Sequence, residues 1–132
     1  MMQTINVKTP SRTAMIDITP RIQEVVTKSG ILSGICIVFV PHTTAGVTIN
    51  ENADPDVVSD ILRQINRTIP FDSDYQHMEG NSAAHIKASL FGFSEQLIIE
   101  NGRLVLGTWQ SVYFCEFDGP RSRQIHIKII EG

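Results

Sequence analysis

Apolar and polar residues alternate along most of this chain, and the alternation predicts short strands. A period of two is typical of a strand with one buried face. Residues 33–40 are apolar on both faces and predict a central strand instead. These patterns together predict seven or eight strands, over residues 3–7, 12–18, 33–40, 46–51, 95–100, 103–106, 110–117 and 124–130.

Two helices are predicted by a polar capping residue that is followed by proline, at Thr19-Pro20 and at Asp54-Pro55. Such a pair supplies an acceptor for the first free N–H groups and a backbone angle that suits the first turn. The helix after Asp54 carries an apolar stripe of Val57, Val58, Ile61, Leu62 and Ile65. A third, short helix is predicted over residues 81–91, with Asn81 or Ser82 as its cap.

The order of these elements predicts the fold class. Asn101-Gly102 is a strong hairpin signal, so the later strands are expected to pair antiparallel through short turns. No linker, internal repeat or low-complexity stretch divides residues 1–132, which predicts a single domain. We expect an α+β domain with a largely antiparallel twisted sheet or β-sandwich-like core and two to three helices.

Composition excludes several classes of partner and compartment. The net charge is -3 and no basic block occurs, so a nucleic-acid partner is not expected. No apolar run approaches the roughly 20 residues of a membrane span, and the first residues lack the apolar stretch of a signal peptide. Cys36 and Cys115 lie in apolar stretches and are expected to be buried free thiols. These features predict a cytoplasmic protein.

Two polar segments, residues 41–56 and 74–85, hold three of the four histidines. His42 follows a buried strand, His77 lies in a loop, and His85 falls on the third helix. Three imidazoles that converge would suit Zn²⁺ or a similar divalent ion, although the spacing matches no named metal motif. Acid–base or phosphate-binding histidines without a metal, and histidines with purely structural partners, are the alternatives. His126 alternates outward from Ile125 and Ile127 and predicts a surface residue.

Acidic and amide side chains fill the turn between the fourth strand and the second helix. Asp54 has a structural role there as the helix cap, and Asn50 could form the turn. Glu51 has no such role. A carboxylate beside amides at a helix N-terminus predicts a site for a cation or a phosphate ester.

A third segment combines glycine, an aromatic ring and arginine. Gly107 interrupts a pair of strands, as a bulge or a close ligand approach would. Trp109 either stacks on a flat ring or fills the core, and Arg121 and Arg123 either bind a phosphate or lie in a solvated turn. Asn81 precedes a helix N-terminus that could hold an anion.

Three long motifs resemble the YjbQ-like family of small bacterial and archaeal proteins, from about residue 13 to the end of the chain. They are PHTTAGVTINENADPDV, HMEGNSAAHIKASLFG and GRLVLGTWQSVYFCEFDGPR. The resemblance implies an α+β fold with a β-sandwich-like core, assembled as a homotrimer. It also implies an enzyme with thiamine-phosphate-synthase-like activity, a transferase in which a thiazole phosphate displaces pyrophosphate from a pyrimidine diphosphate, as a secondary activity.

The resemblance, together with the residue patterns above, gives a set of site residues. The expected catalytic residues are His42, Glu51, His77 and His85, and the same three histidines are the expected ligands of a divalent ion, Zn²⁺ or Mg²⁺. The expected substrate and phosphate contacts are Thr43, Thr44, Asn50, Asn81, Gly107, Trp109, Gln110 and Arg121. A metal-dependent hydrolase of a small phosphate or amide compound and a non-catalytic ligand-binding trimer are the alternatives.

Overall fold

The computed structural model describes residues 1–132 and contains two sheets and three helices. The strands are β1 Met2–Lys8, β2 Ala14–Asp17, β3 Gly34–Phe39, β4 Ala45–Glu51, β5 Ser94–Glu100, β6 Arg103–Leu104, β7 Gln110–Glu116 and β8 Ser122–Glu131. The helices are α1 Thr19–Ser29, α2 Pro55–Thr68 and α3 Ser82–Phe91. The predicted α+β class is confirmed, and no predicted strand end differs from the observed one by more than two residues.

The strands form two antiparallel sheets that pack face to face. The larger sheet has the order β1-β8-β3-β5-β6 and the smaller has the order β2-β7-β4. Their inner faces meet in a core of 16 buried residues, which includes Val38 from the larger sheet and Phe114 from the smaller. Helix α1 adds Ile22 and Val26 to this core. Burial of these apolar side chains from both sheets provides the main stabilisation of the fold.

Helix α3 covers the other face of the smaller sheet. A second buried cluster lies between them and contains Ala84, Ala88, Tyr113, Cys115 and Phe117. Strand β7 is therefore buried on both faces. The helix end approaches β4 so closely that a Cβ atom at Gly46 would lie 2.6 Å from the carbonyl oxygen of Gly92.

The outer face of the larger sheet carries an uncovered apolar patch. Ile35 pairs with Ile98 on one side and with Ile130 on the other, and all three are between 43% and 59% exposed. Phe39 lies on the same face and is 45% exposed. None of the helices combines the length and the apolar character that crossing a membrane requires.

One of the three predicted helix caps makes the expected capping hydrogen bond. Asp54 Oδ1 accepts a hydrogen bond of 2.9 Å from the backbone N–H of Asp56, as a cap should. The predicted cap at Thr19 is wrong, because Thr19 already belongs to α1. Its hydroxyl accepts from the N–H of Val112 at 2.8 Å, while Asp17 accepts from the N–H of Thr19 at 2.9 Å. Because the Thr19 hydroxyl bonds to Val112 of β7, it does not cap the helix.

Candidate functional site

The predicted site residues lie at two opposite ends of the smaller sheet. The register of β4 and β7 pairs Ala45 with Glu116 at one end and Glu51 with Gln110 at the other. Six residue steps along β4 separate these pairs, which is about 20 Å at the usual rise of a strand. We call them the Thr44 end, where β4 begins, and the Glu51 end, where β4 finishes.

A buried ion pair forms the base of the Thr44 end. Arg123 Nε donates to Glu116 at 2.8 Å, and Arg123 Nη2 donates to the Thr44 hydroxyl at 2.8 Å. Glu116 also accepts from the Thr9 hydroxyl at 2.7 Å and from the N–H of Asp118 at 2.9 Å. Burial alone would raise the pKa of the Glu116 carboxyl, but the hydrogen bonds from Arg123, Asp118 and Thr9 outweigh it and hold the pKa below its usual value.

This ion pair changes how two sequence features are interpreted. Arg123, itself a candidate phosphate-binding residue, lies neither in a solvated turn nor free to bind an anion, because it is buried against Glu116. The Thr44 hydroxyl, a predicted substrate contact, already accepts a hydrogen bond from Arg123, whereas the neighbouring Thr43 is exposed. Glu116 was missed by the sequence interpretation, although a lone carboxylate within the apolar run VYFCEF was the available signal.

Asp118 connects the second and third sequence motifs. It accepts from Asn81 Nδ2 at 2.9 Å and from Arg121 Nη2 at 2.9 Å, and its backbone carbonyl accepts from Arg121 Nε at 2.8 Å. Asn81 is the residue before α3, but its side chain makes no capping bond. Its Oδ1 atom is buried and has no hydrogen-bond partner in the chain. The predicted residues Asn81 and Arg121 are thus brought together.

Two of the three predicted histidines also come together. The rings of His77 and His85 meet edge to face with centroids 5.4 Å apart. They face an open cleft of about 490 Å³, which we call the histidine cleft and which is lined by Asp74, Tyr75, Gln76, His77, Ser82, His85 and Ile86. Because Ser82 follows Asn81, the cleft adjoins the hydrogen bonds of Asp118.

His42 lies in a different environment. Its Nε2 atom accepts a hydrogen bond of 2.9 Å from the backbone N–H of Gln124, so in the neutral ring the proton sits on Nδ1. Burial and then the charge of Arg123 lower the pKa of the His42 imidazole and outweigh the opposing charge of Glu116. The neutral Nδ1–H tautomer is therefore favoured.

The geometry does not form the predicted three-histidine metal centre within one chain. No group of three or more His, Cys, Asp or Glu side chains lies close enough together to hold a metal ion. His77 and His85 are only a pair, and His42 Nε2 is already bonded to a backbone N–H. The donor set of a single chain thus does not fit a resident ion.

At the Glu51 end, local bonds occupy most of the amides. Asn50 Oδ1 accepts from the N–H of Glu51 at 2.7 Å, and Gln110 Oε1 accepts from the N–H of Gly107 at 2.8 Å. The side chain of Trp109 is 63% exposed, which excludes the core-filling alternative. The Glu51 carboxylate makes no hydrogen bond to another side chain. Trp109 and Glu51 therefore remain available to a ligand or a partner, as do the amide nitrogens of Asn50 and Gln110.

The comparisons with known proteins agree on one family. A family model described as "UPF0047 protein YjbQ-like" matches residues 3–132. The chain is 53% identical to UPF0047 protein YugU of Bacillus subtilis over 131 residues, which cover 98% of this chain and 99% of that protein. It is 49% identical to UPF0047 protein MJ1081 of Methanocaldococcus jannaschii, covering 98% of this chain and 94% of that protein.

Solved structures show the same fold. A crystal structure of a YjbQ/UPF0047 family protein from Clostridium acetobutylicum superposes with a TM-score of 0.95 at 56% identity, covering 97% of this chain and 99% of that one. A YbjQ-like protein from Sulfolobus solfataricus superposes with a TM-score of 0.95 at 34% identity, covering 100% of this chain and 97% of that one. The order of the motifs, the paired sheets and these matches together place the chain in the YjbQ-like UPF0047 family.

Proposed function

We propose that this protein is a transferase that joins a pyrimidine diphosphate to a thiazole phosphate and releases pyrophosphate, as a secondary activity. The observation that carries the proposal is the link from the histidine cleft through Asn81 and Asp118 to Arg121. The cleft itself has two imidazoles and a helix N-terminus, and Asn81 and Asp118 connect it to the Arg121 guanidinium. Such groups suit a substrate that carries several phosphate oxygens.

The reaction requires the protein to orient the two substrates and to stabilise the negative charge on the leaving pyrophosphate. It does not require a covalent bond to the protein. The thiazole nitrogen forms a bond to the methylene carbon of the pyrimidine while the bond from that carbon to the diphosphate oxygen breaks. The leaving pyrophosphate takes the electron pair. In the proposal, His77 and His85 donate hydrogen bonds to the departing oxygens, and Arg121 binds the outer phosphate. Donors fixed before reaction at the developing charge supply the largest share of catalysis in many enzymes.

The aromatic part of the substrate needs a second surface. Trp109 offers an exposed ring and Glu51 a carboxylate without a side-chain partner, but both lie at the Glu51 end, about 20 Å of strand from the Thr44 end. We therefore propose that the active form is a homotrimer, in which the Glu51 end of one chain completes the histidine cleft of its neighbour. The uncovered apolar patch of the larger sheet supports association, since exposed apolar patches often mark interfaces.

A subunit-mixing experiment tests the shared site. His85→Ala and Trp109→Ala are each expected to be inactive alone. When the two variants are unfolded together and refolded, some shared sites carry neither substitution, and activity should return. No recovery in mixed trimers would show that the two ends do not serve one site.

The activity itself is tested by measuring pyrophosphate release with both heterocycles and with each alone. Release should require both. His77→Ala and His85→Ala should each lower the rate by about 100-fold or more, the usual effect of losing a fixed hydrogen-bond donor to a developing negative charge. Arg63→Ala, an exposed position on α2, is the control and should leave the rate unchanged. Wild-type rates in both histidine variants would overturn the proposal.

The same assay separates the alternatives. Phosphate release from the pyrimidine diphosphate alone would indicate the metal-dependent hydrolase, and a ligand-induced rise in melting temperature without turnover would indicate the ligand-binding trimer. The divalent ion, Zn²⁺ or Mg²⁺, stays a prediction, and metal analysis of the purified protein tests it. We place the activity in the cytoplasm, a location that the unpaired thiols of Cys36 and Cys115 support.

A further inference from the structure

Helix α3 places a lysine where a core residue would be expected. Its buried positions are Ala83, Ala84, Lys87 and Ala88, and Lys87 is fully buried. Lysine is almost never fully buried unless it is paired, because removing an ammonium from water is costly. The chain has carboxylates in abundance, yet none pairs with Lys87. The position therefore calls for a role that an apolar residue could not fill.

The ammonium group has one amide and one aromatic ring as its partners. Lys87 Nζ donates to Asn66 Oδ1 at 2.7 Å and lies 3.7 Å from the centre of the Phe71 ring. The guanidinium carbon of Arg12 lies 3.6 Å from the centre of the same ring and is the charged group that acts on Lys87. Burial and then Arg12 lower the pKa of Lys87 to about 8, so the amine still carries its proton at neutral pH. A cation that is held away from water over an aromatic face attracts that face strongly.

These partners belong to the segments that surround the histidine cleft. Asn66 lies near the end of α2, and its Nδ2 donates to the Thr13 hydroxyl at 3.2 Å. Phe71 lies in the connection between α2 and α3, which also carries His77. A hydrogen bond of 2.6 Å from the Tyr75 hydroxyl to the carbonyl of Pro70 folds this connection back on itself. Phe71 and His77 thus belong to one short connection that is folded on itself.

The opposite side of the cleft comes from α3 itself. His85 lies on α3 two residues before Lys87, so the helix that holds the ammonium also holds the second ring of the histidine pair. The connection between α2 and α3 thus contacts α3 at two points. One is the Lys87 ammonium over the Phe71 ring, and the other is the contact between the rings of His77 and His85. We propose that Lys87 is a positioning residue, whose charge holds Phe71 against α3 and thereby keeps His77 in contact with His85.

The positioning role does not depend on the proposed function. Only its expected effect on turnover rests on the protein being the proposed transferase. The geometric part is tested by nuclear magnetic resonance on protein with labelled histidines, without any substrate. The observable is the proton–proton Overhauser effect between the rings of His77 and His85, assigned with single histidine variants. Lys87→Arg keeps a cation, Lys87→Met removes it, and Phe71→Leu removes the ring while leaving Lys87 and Asn66 in place.

The wild type and Lys87→Arg should show the contact between the rings. Lys87→Met and Phe71→Leu should fold, with native circular dichroism, and lose it. In the transferase assay, Phe71→Leu should lower kcat by about 100-fold, the effect expected of a misplacement of about 1 Å, with little change in KM. If Lys87→Met fails to fold, Phe71→Leu decides alone.

A ring contact that survives in folded Phe71→Leu would overturn the positioning role, because a purely structural Lys87 predicts that result. Loss of the ring contact in a protein whose wild type shows no turnover would instead support the positioning role and refute the transferase. The two failures are therefore distinguishable.

Discussion

The buried carboxylate of Glu116 gives the sharpest test of the Thr44 end. It accepts four hydrogen bonds, from the Thr9 hydroxyl, the Asp118 N–H and two nitrogens of Arg123. In Glu116→Gln one oxygen is replaced by an NH₂ group, which points a donor at other donors and leaves the guanidinium without its counter-charge. Breaking a buried ion pair in this way costs about 3–5 kcal/mol.

This loss is large beside the total stability of a domain, which is about 5–15 kcal/mol. At about 4 °C per kcal/mol for a chain of this size, we expect the melting temperature to fall by roughly 12–20 °C. Urea unfolding at a fixed chain concentration measures the change in free energy, because an oligomer's stability depends on concentration. The slope with urea should stay the same, since the surface exposed on unfolding does not change.

A double variant identifies the ion pair as the cause. Glu116→Leu combined with Arg123→Met leaves no isolated charge, so it should be less destabilising than the sum of the two single variants. Thr9 and Asp118 still lose their acceptor, and the double variant should therefore remain below the wild type in stability. A cost below about 1 kcal/mol for Glu116→Gln, or simple additivity in the double variant, would refute the assigned role of the pair.

The pH dependence of stability follows from the same group. Because the folded pKa of Glu116 lies below its ordinary value of 4.5, the unfolded chain binds the proton more readily. The contribution of Glu116 is therefore complete above pH 4.5 and decreases as the pH falls towards the folded pKa. The stability difference between wild type and Glu116→Gln should shrink below that pH. A constant difference between pH 7 and pH 3 would contradict the lowered pKa.

Three further predictions concern other parts of the molecule. Gly46→Ala should destabilise the protein by about 1–3 kcal/mol in thermal unfolding, since its Cβ would lie 2.6 Å from the rigid carbonyl of Gly92. Ile35→Lys, on the exposed sheet face, should leave the fold intact and shift the mass in light scattering from that of a trimer to the 14.7 kDa of one chain. Nitrogen-15 resonance should show His42 protonated on Nδ1 at pH 7, with Nε2 bonded to the Gln124 N–H; a predominant Nε2–H tautomer would exclude that hydrogen bond.

The elements were predictable because their signals are local. The Asn101-Gly102 turn has positive φ at both residues, 53° and 74°, as the hairpin signal requires. The cap of α2 at Asp54 depends on a contact only two residues away. Thr19 has the same kind of sequence signal, but its hydroxyl bonds to Val112, 93 residues later in the chain. A local sequence pattern carries no information on a hydrogen-bond partner so far along the chain.

The partners of the site residues were not predictable for the same reason. Periodicity identifies β4 and β7 but does not say that they are neighbours, so it could not show that Gln110 lies beside Glu51 while Glu116 lies beside Ala45. Lys87 looks like an ordinary surface lysine in AHIKASLF until Ala83, Ala84 and Ala88 are seen on the same buried face. A charged residue at a buried helical position is a signal that the sequence contains, provided that the buried face is known first.

The separation of the two ends limits what one chain can do. Two small substrates react only when their atoms approach to about 3–3.5 Å, so the groups that orient them must surround one small volume. The Thr44 and Glu51 ends of a single chain are separated by about 20 Å of strand and cannot do this. If Trp109 and His85 contribute to one reaction, a neighbouring chain must bring them together. The exposed apolar patch of the larger sheet independently favours association. The shared site and the trimer are thus linked: a protein that is monomeric in solution would exclude both.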